Sequence, residues 1–218
     1  MSFRHLKDSH IGETCTVIAN GPSLNLVPRE FFAHYATFGC NFIAKLPYIP
    51  DFYTVVDKAN ISDSWEEIEV VPSPLKFVRE NTQLSGYPLH CIPRREFSLQ
   101  PNIWVWEGFS VVYVMLQLAY YLGFTTALVV GLDHKYQFEG DPKTPRLIDG
   151  PDPNHFSPDY YRGKIVTYPK LEISALAFRM ARKTYEADGR RIINLTDGSA
   201  FDGFEFGHLD DWMKGKRK

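Results

Sequence analysis

Residues 108–133 constrain the fold more than any other stretch. Val111–Leu122 is apolar on nearly every face of a helix, a pattern that requires burial all round. Ser110 stands at an N-cap position and Gly123 at a C′ position, so the spacing predicts a helix between them. Thr126–Leu132 then reads as a central strand, apolar on both faces, followed by Asp133 and His134. A buried helix feeding a buried strand implies a right-handed crossover inside a layered α/β fold.

A second unit of the same kind opens the chain. Cys15–Ala19 reads as a buried strand running into Asn20, Gly21, Pro22 and Ser23. Gly21 is expected to take φ > 0 and Pro22 to fix the next dihedral. Ser23 is expected to cap a short helix over Leu24–Phe32, ending near His34. The first N–H groups of such a helix would suit phosphate or carboxylate, though the turn reads equally as a plain connection. Thr37–Cys40 delivers Asn41, and Phe52–Val56 delivers Asp57. Three strands thus end in Asn20, Asn41 and Asp57, as at the ligand-binding carboxyl edge of a doubly wound sheet.

The remainder is less uniform. Ser62 or Asp63 is expected to cap a helix running to Glu69, and a strand is expected at Lys76–Val78. Arg94 and Arg95 suit either a phosphate or plain solvent. Residues 136–170 form a long polar loop rich in proline, of the length that usually serves as a lid or binding loop. It carries His155, a candidate general acid or base, against the alternative of a structural histidine. Tyr160 and Tyr161 could donate to a departing phosphate or simply pack the loop shut. Leu171–Asp188 reads as a helix and Arg190–Leu195 as a last strand, with a polar turn at 196–199 facing the same edge.

Composition removes several classes. With 218 residues and a formal charge of −2, the chain has room for a substantial core and no electrostatic footprint for nucleic acid. Cys15, Cys40 and Cys91 lack metal-ligand spacing and read as thiols in a reducing compartment. No secretory h-region follows the polar start, and the longest apolar run, broken by Gln117, is too short for a bilayer. A cytoplasmic protein without stable membrane insertion is expected, and homo-oligomerisation is left open. Neither Gly-x-Gly-x-x-Gly after the first strand nor a Walker-type phosphate loop is present.

The ordered set Ala19–Leu24, Phe38–Asn41, Gly108–Ser110, Gly131–Asp133, Asn154–Phe156 and Asn194–Thr196 resembles the 6-hydroxymethylpterin diphosphokinase MptE-like domains, which include motility accessory factors. Its first motifs and the helix–strand unit are also similar to bacterial single-domain sialyltransferases. The resemblance implies a Rossmann-like α/β fold, a mostly parallel sheet with helices on both faces. It would be one nucleotide-binding domain over 1–218, with an N-terminal arm (1–13), a lid (136–170) and a C-terminal tail (208–218). The activity implied is a transferase acting on a small-molecule nucleotide and a hydroxyl acceptor. It would move either pyrophosphate from ATP or an acidic sugar from a CMP-sugar. The alternative is a non-catalytic nucleotide- or sugar-phosphate-binding accessory domain. The resemblance assigns nucleotide contacts to Asn20, Gly21, Ser23, Asn41, Ser110 and Asp133, and catalysis to His155 with Tyr160 and Tyr161. On the diphosphokinase branch, Asp57 and Asp133 would hold Mg²⁺.

Overall fold

The computed structural model describes residues 2–213. In chain order the first half carries β1 (Thr14–Ile18), β2 (Ala36–Cys40), β3 (Phe52–Val55), α1 (Lys58–Glu69), β4 (Leu75–Arg79), β5 (Tyr87–Leu89), β6 (Cys91–Ile92) and β7 (Val105–Trp106). The second half carries α2 (Val111–Leu122), β8 (Thr126–Val130), β9 (Arg146–Leu147), β10 (Ile165–Val166), α3 (Leu171–Ala187), β11 (Arg191–Asn194), β12 (Glu205–Phe206) and α4 (Leu209–Trp212). Eight strands form one sheet in the order β12-β11-β8-β1-β2-β3-β4-β5, every pairing parallel. Two short ribbons, β6–β7 and β9–β10, stand apart from it.

Both faces of the sheet are covered, which explains why its strands read as near-continuous apolar runs. On one face Cys15, Val17, Phe38 and Val129 pack with α2 and α3. On the other, Ile18, Val55, Leu128 and Val130 pack with Leu24, Phe31, Ile61 and, from the long loop, Phe156 and Tyr160. The chain therefore has the α/β, Rossmann-like layering expected of it. β1 sits between β8 and β2, so its carboxyl end lies near the middle of the sheet's carboxyl edge.

α2 forms as its sequence specifies. Ser110 takes the extended N-cap conformation and Gly123 ends the helix with φ of 99°, where a Cβ would be strained. Every residue from Val112 to Leu122 is buried, including Gln117. Gln117 is tolerated there because its amide is saturated. Its Oε1 accepts from Ser98 N (3.0 Å) and Trp106 N (3.1 Å), and its Nε2 donates to the carbonyls of Trp106 (2.7 Å) and Tyr113 (3.1 Å).

Several expectations need correction. The helix expected over Leu24–Phe32 is instead two 3₁₀ turns, Pro22–Leu26 and Arg29–Ala33. Pro28 separates them because it offers no N–H to a continuing helix. Gly21 does not take positive φ; it lies at −71°. α1 begins at Lys58, ahead of the expected start, because Asp57 Oδ1 accepts from Asn60 N (2.9 Å) and caps it. The start expected at Ser62 or Asp63 coincides instead with a break inside that helix, where Ser64 has φ of −152°. The arm expected at 1–13 is not loosely held over its described residues, 2–13. Phe3 is buried against Phe77 and Tyr121, and the amides of Asp8 and His10 donate to the carbonyls of Tyr121 and Leu122. The tail expected from 208 contains α4, whose Trp212 packs on Tyr35; residues 214–218 lie outside the described residues.

Candidate active site

The carboxyl edge of the sheet holds two connected groups of candidate residues. The first is a knot at the end of β1. Ser23 Oγ donates to Asp133 Oδ2 (2.6 Å), and Ser23 N donates to the same oxygen (3.3 Å). The protein's own Asp133 carboxylate thus occupies the Ser23 donors at this turn. Gly21 is required here for space rather than for φ. A Cβ would come within 2.0 Å of Asp133 Oδ2 and 2.7 Å of the Gly131 carbonyl. The turn at 196–199 is tied to the same knot, with Leu132 N donating to Thr196 Oγ1 and Ser199 Oγ donating to Leu132 O.

The second group is built by the long loop. Phe156 N donates to the Asn20 carbonyl (2.9 Å), and Asn25 Nδ2 donates back to the Phe156 carbonyl (2.8 Å). These bonds fasten residue 155 directly beside the β1 turn. Within the loop, Asn154 clamps Gln137 through both its amide atoms, and β9 pairs with β10. The loop is an ordered strap rather than a loose flap.

His155 Nδ1 lies 2.8 Å from Asp152 Oδ2, and the Asp152 side chain is 1% exposed. The carboxylate accepts from Nδ1–H, which leaves Nε2 as the unprotonated nitrogen of the neutral ring. The imidazole stacks on Tyr160 (centroids 4.0 Å apart, 7° between planes), and Tyr161 meets it edge-on at 4.9 Å. His155 and Tyr161 line a cleft of about 310 Å³ together with Asp57, Asn60, Tyr136 and Lys164. Phe109, with φ of 58°, closes its far side next to Ser110. Burial pushes the Tyr136 hydroxyl up to about 12 and the Tyr161 hydroxyl well upward, so both stay protonated near neutrality. Burial also lowers Lys164, whose ammonium sits 3.8 Å from the centre of the Phe42 ring.

Of the residues singled out from sequence, His155, Tyr161 and Asp57 line this cleft. Tyr160 is buried beneath His155. Asn20, Gly21, Ser23, Asp133 and Ser110 do not line the cleft; the first four lie at the end of β1 and in its knot, and Ser110 follows the lining residue Phe109 in the chain. Asn41, with φ of 49°, follows Cys40, whose thiol receives a hydrogen bond from Asn20 Nδ2 (3.1 Å). Asn20 Oδ1 is buried without a hydrogen bond, whereas the Tyr160 hydroxyl interacts with Asn41 and the Tyr161 hydroxyl with Asn60. A buried acceptor of this kind is costly unless something completes it, which fits a polar ligand at the end of β1. A magnesium site fits less well. Asp57 caps α1 and Asp133 holds Ser23, and among the described residues no cluster of three or more His, Cys, Asp or Glu side chains is disposed to bind a metal. Arg94 and Arg95 are exposed and do not line the cleft.

Asp152, Tyr136 and Lys164 escaped the sequence reading. Asp152 stands three residues before His155, a spacing that a turn-forming Asp-Pro-Asn-His stretch could have suggested. Nothing in the sequence pointed to Tyr136 or Lys164, which reach the cleft only because the strap folds back on α1.

No protein-family profile matches the chain, and no curated protein matches it in sequence. The resemblance to the diphosphokinase-like domains therefore rests on its motifs alone. Among solved structures, the chain superposes on the sialyltransferase CstII from Campylobacter jejuni, determined in complex with a substrate analogue, cytidine-5′-monophosphate. The TM-score is 0.50 at 14% identity, over 90% of this chain and 85% of that one. At that identity the likeness bears on the fold. Among the described residues no helix is long and apolar enough to cross a membrane.

Proposed function

We propose that this chain is a transferase that moves an acidic sugar from a CMP-sugar to a hydroxyl acceptor. The observation that carries the reading is His155, paired with the buried Asp152 carboxylate, in a cleft that also presents two protonated tyrosines and Lys164 beside Asp57, Asn60 and Asp63. The fold shared with a CMP-bound sialyltransferase agrees with it.

In this reading the acceptor O–H gives its proton to His155 Nε2 as the acceptor oxygen bonds to the anomeric carbon. The bond from that carbon to the phosphate oxygen breaks, and CMP leaves with the electron pair. Asp152 holds the ring in the required tautomer and balances the imidazolium that forms, as a buried carboxylate does behind other histidine bases. Tyr161 and Tyr136 donate hydrogen bonds to the departing phosphate, which is where charge develops. Tyr160 supports the imidazole from below. Asn20 offers its unpartnered amide oxygen to a donor group of the nucleotide, with Asn41 and Ser110 as further contacts to it. Gly21, Ser23 and Asp133 keep that edge in place. No step is routed through a metal.

The test is a thermal-shift titration with CMP, CTP, AMP and ATP, with and without Mg²⁺, followed by an assay for CMP release from a CMP-sugar. Stabilisation by CMP or CTP without metal, with His155→Ala lowering kcat by about 10²–10⁴ while CMP still binds, is the expected result. Stabilisation by ATP alone, and only with Mg²⁺, would move the reading to diphosphoryl transfer. Binding without turnover that is indifferent to His155 would make the chain an accessory module.

A further inference from the structure

α1 is a wall with a cleft on either side. Asp57, Ala59, Asn60 and Asp63 face the cleft that holds His155. Lys58, Ile61 and Ser62 recur at i, i+3 and i+4 on another stripe of the helix, and Trp65 follows just past the break at Ser64. That stripe faces a second cleft of about 650 Å³ at the carboxyl end of β4. Its other wall is the turn after β4, where Thr82 Oγ1 closes on the Arg79 carbonyl (2.8 Å) and Asn81 sits at φ of 58°.

The chemistry of this cleft is specific. Trp65 is 39% exposed, an indole ring left open beside the amides of Asn81 and Gln83. Those amides, the Ser62 hydroxyl and the Lys58 ammonium make no side-chain hydrogen bond or ion pair among the described residues. The other charged side chains already have partners. Arg79 pairs with Glu107 (2.6 Å) and donates through Nε to the Val56 carbonyl, while Glu80 pairs with His90. A site with one spare cation is poorly built for a phosphate. One aromatic face ringed by neutral donors and acceptors suits a flat, hydroxyl-rich ligand, whose C–H face lies on the indole while its hydroxyls meet the amides.

We propose that this second cleft binds a sugar ring of the acceptor, stacked on Trp65 and held by Asn81, Gln83 and Lys58. The ring lies across α1 from His155, a span of about 10–12 Å set by the thickness of a helix. A monosaccharide does not cover that distance, so the acceptor is an oligosaccharide whose terminal hydroxyl reaches the reacting cleft. The acceptor role rests on the transfer reading above; sugar binding itself does not.

The experiment titrates the full chain with maltose, cellobiose, lactose and N-acetyllactosamine. Binding is followed by tryptophan fluorescence and by saturation-transfer NMR on the sugar. Saturable binding of at least one disaccharide is expected, weakened tenfold or more in Trp65→Ala and in the exposed Gln83→Ala, with the CMP-induced thermal shift unchanged in both. His155→Ala should bind the sugar as the parent does. No saturable binding by any of the four, or binding indifferent to both substitutions, would overturn the proposal, as would binding of inorganic phosphate in place of sugar. If the sugars bind as described but CMP does not, the transfer reading fails while the sugar site stands.

Discussion

At the scale of single residues, the proposed reading makes Asp152, the buried carboxylate paired with His155, a positioning residue. Asp152→Asn keeps the shape but offers an N–H or a weaker acceptor to Nδ1, so the ring loses its enforced tautomer. A fall in kcat of at least tenfold is expected with the CMP-sugar KM little changed, read from steady-state CMP release. A second histidine gives a pH signature independent of catalysis. Burial holds the His134 ring below the ordinary imidazole range, against a smaller opposing effect of its bond to the Leu171 backbone. The unfolded chain protonates this ring as pH falls through about 6.5, while the folded chain resists until lower pH. The stability it contributes is therefore complete above that unfolded value and is lost as pH falls through the lower, folded one. Melting temperature should decline below about pH 6.5, and His134→Asn, which suits the observed φ of 51°, should flatten that decline. An unchanged acid limb in the variant would assign the effect to other groups.

At the scale of elements, two contacts set whether the edge of the sheet is formed correctly. Gly21→Ala places a methyl group against Asp133 and the Gly131 carbonyl, and overpacking of this kind costs about 1–3 kcal/mol. Urea unfolding should show that loss, together with weaker binding of any ligand seated at the β1 turn. Gln117→Leu should cost more than its apolar gain suggests, since the amides of Ser98 and Trp106 lose their acceptor at about 1–3 kcal/mol each. The central elements were legible because their signals are local. α2 has its caps and all-round apolarity in its own sequence, and β1, β2, β3 and β8 are buried on both faces and read as such. The first connection departs from its pattern because Pro28 outweighs the helical signal around it. The start of α1 is hidden because Asp57, at a strand end, looks as much like a ligand residue as the cap it is.

At the scale of the whole molecule, the site is assembled across long sequence separations, and that is the part a sequence hides. His155 was visible as a histidine in a functional-length loop. Its neighbours in space, Tyr136, Lys164 and Asp57, are brought to it only by the strap closing onto α1 and the β1 turn. Ligand linkage offers a global check: CMP at a hundredfold its dissociation constant should add about 2.7 kcal/mol to the unfolding free energy. The strap's attachment also bears on how the molecule breathes. Because the Phe156 amide is hydrogen-bonded to the Asn20 carbonyl at the end of the central strand, that proton can exchange with solvent only when the strap lifts away from the sheet. Its deuterium uptake should be as slow as that of the β1 amides, whereas the surface turn around Asp141–Thr144 should exchange early. On the proposed reading, His155 is thus tethered, through its neighbour in the chain, to the central strand of the sheet, so the base is held in place before substrate arrives.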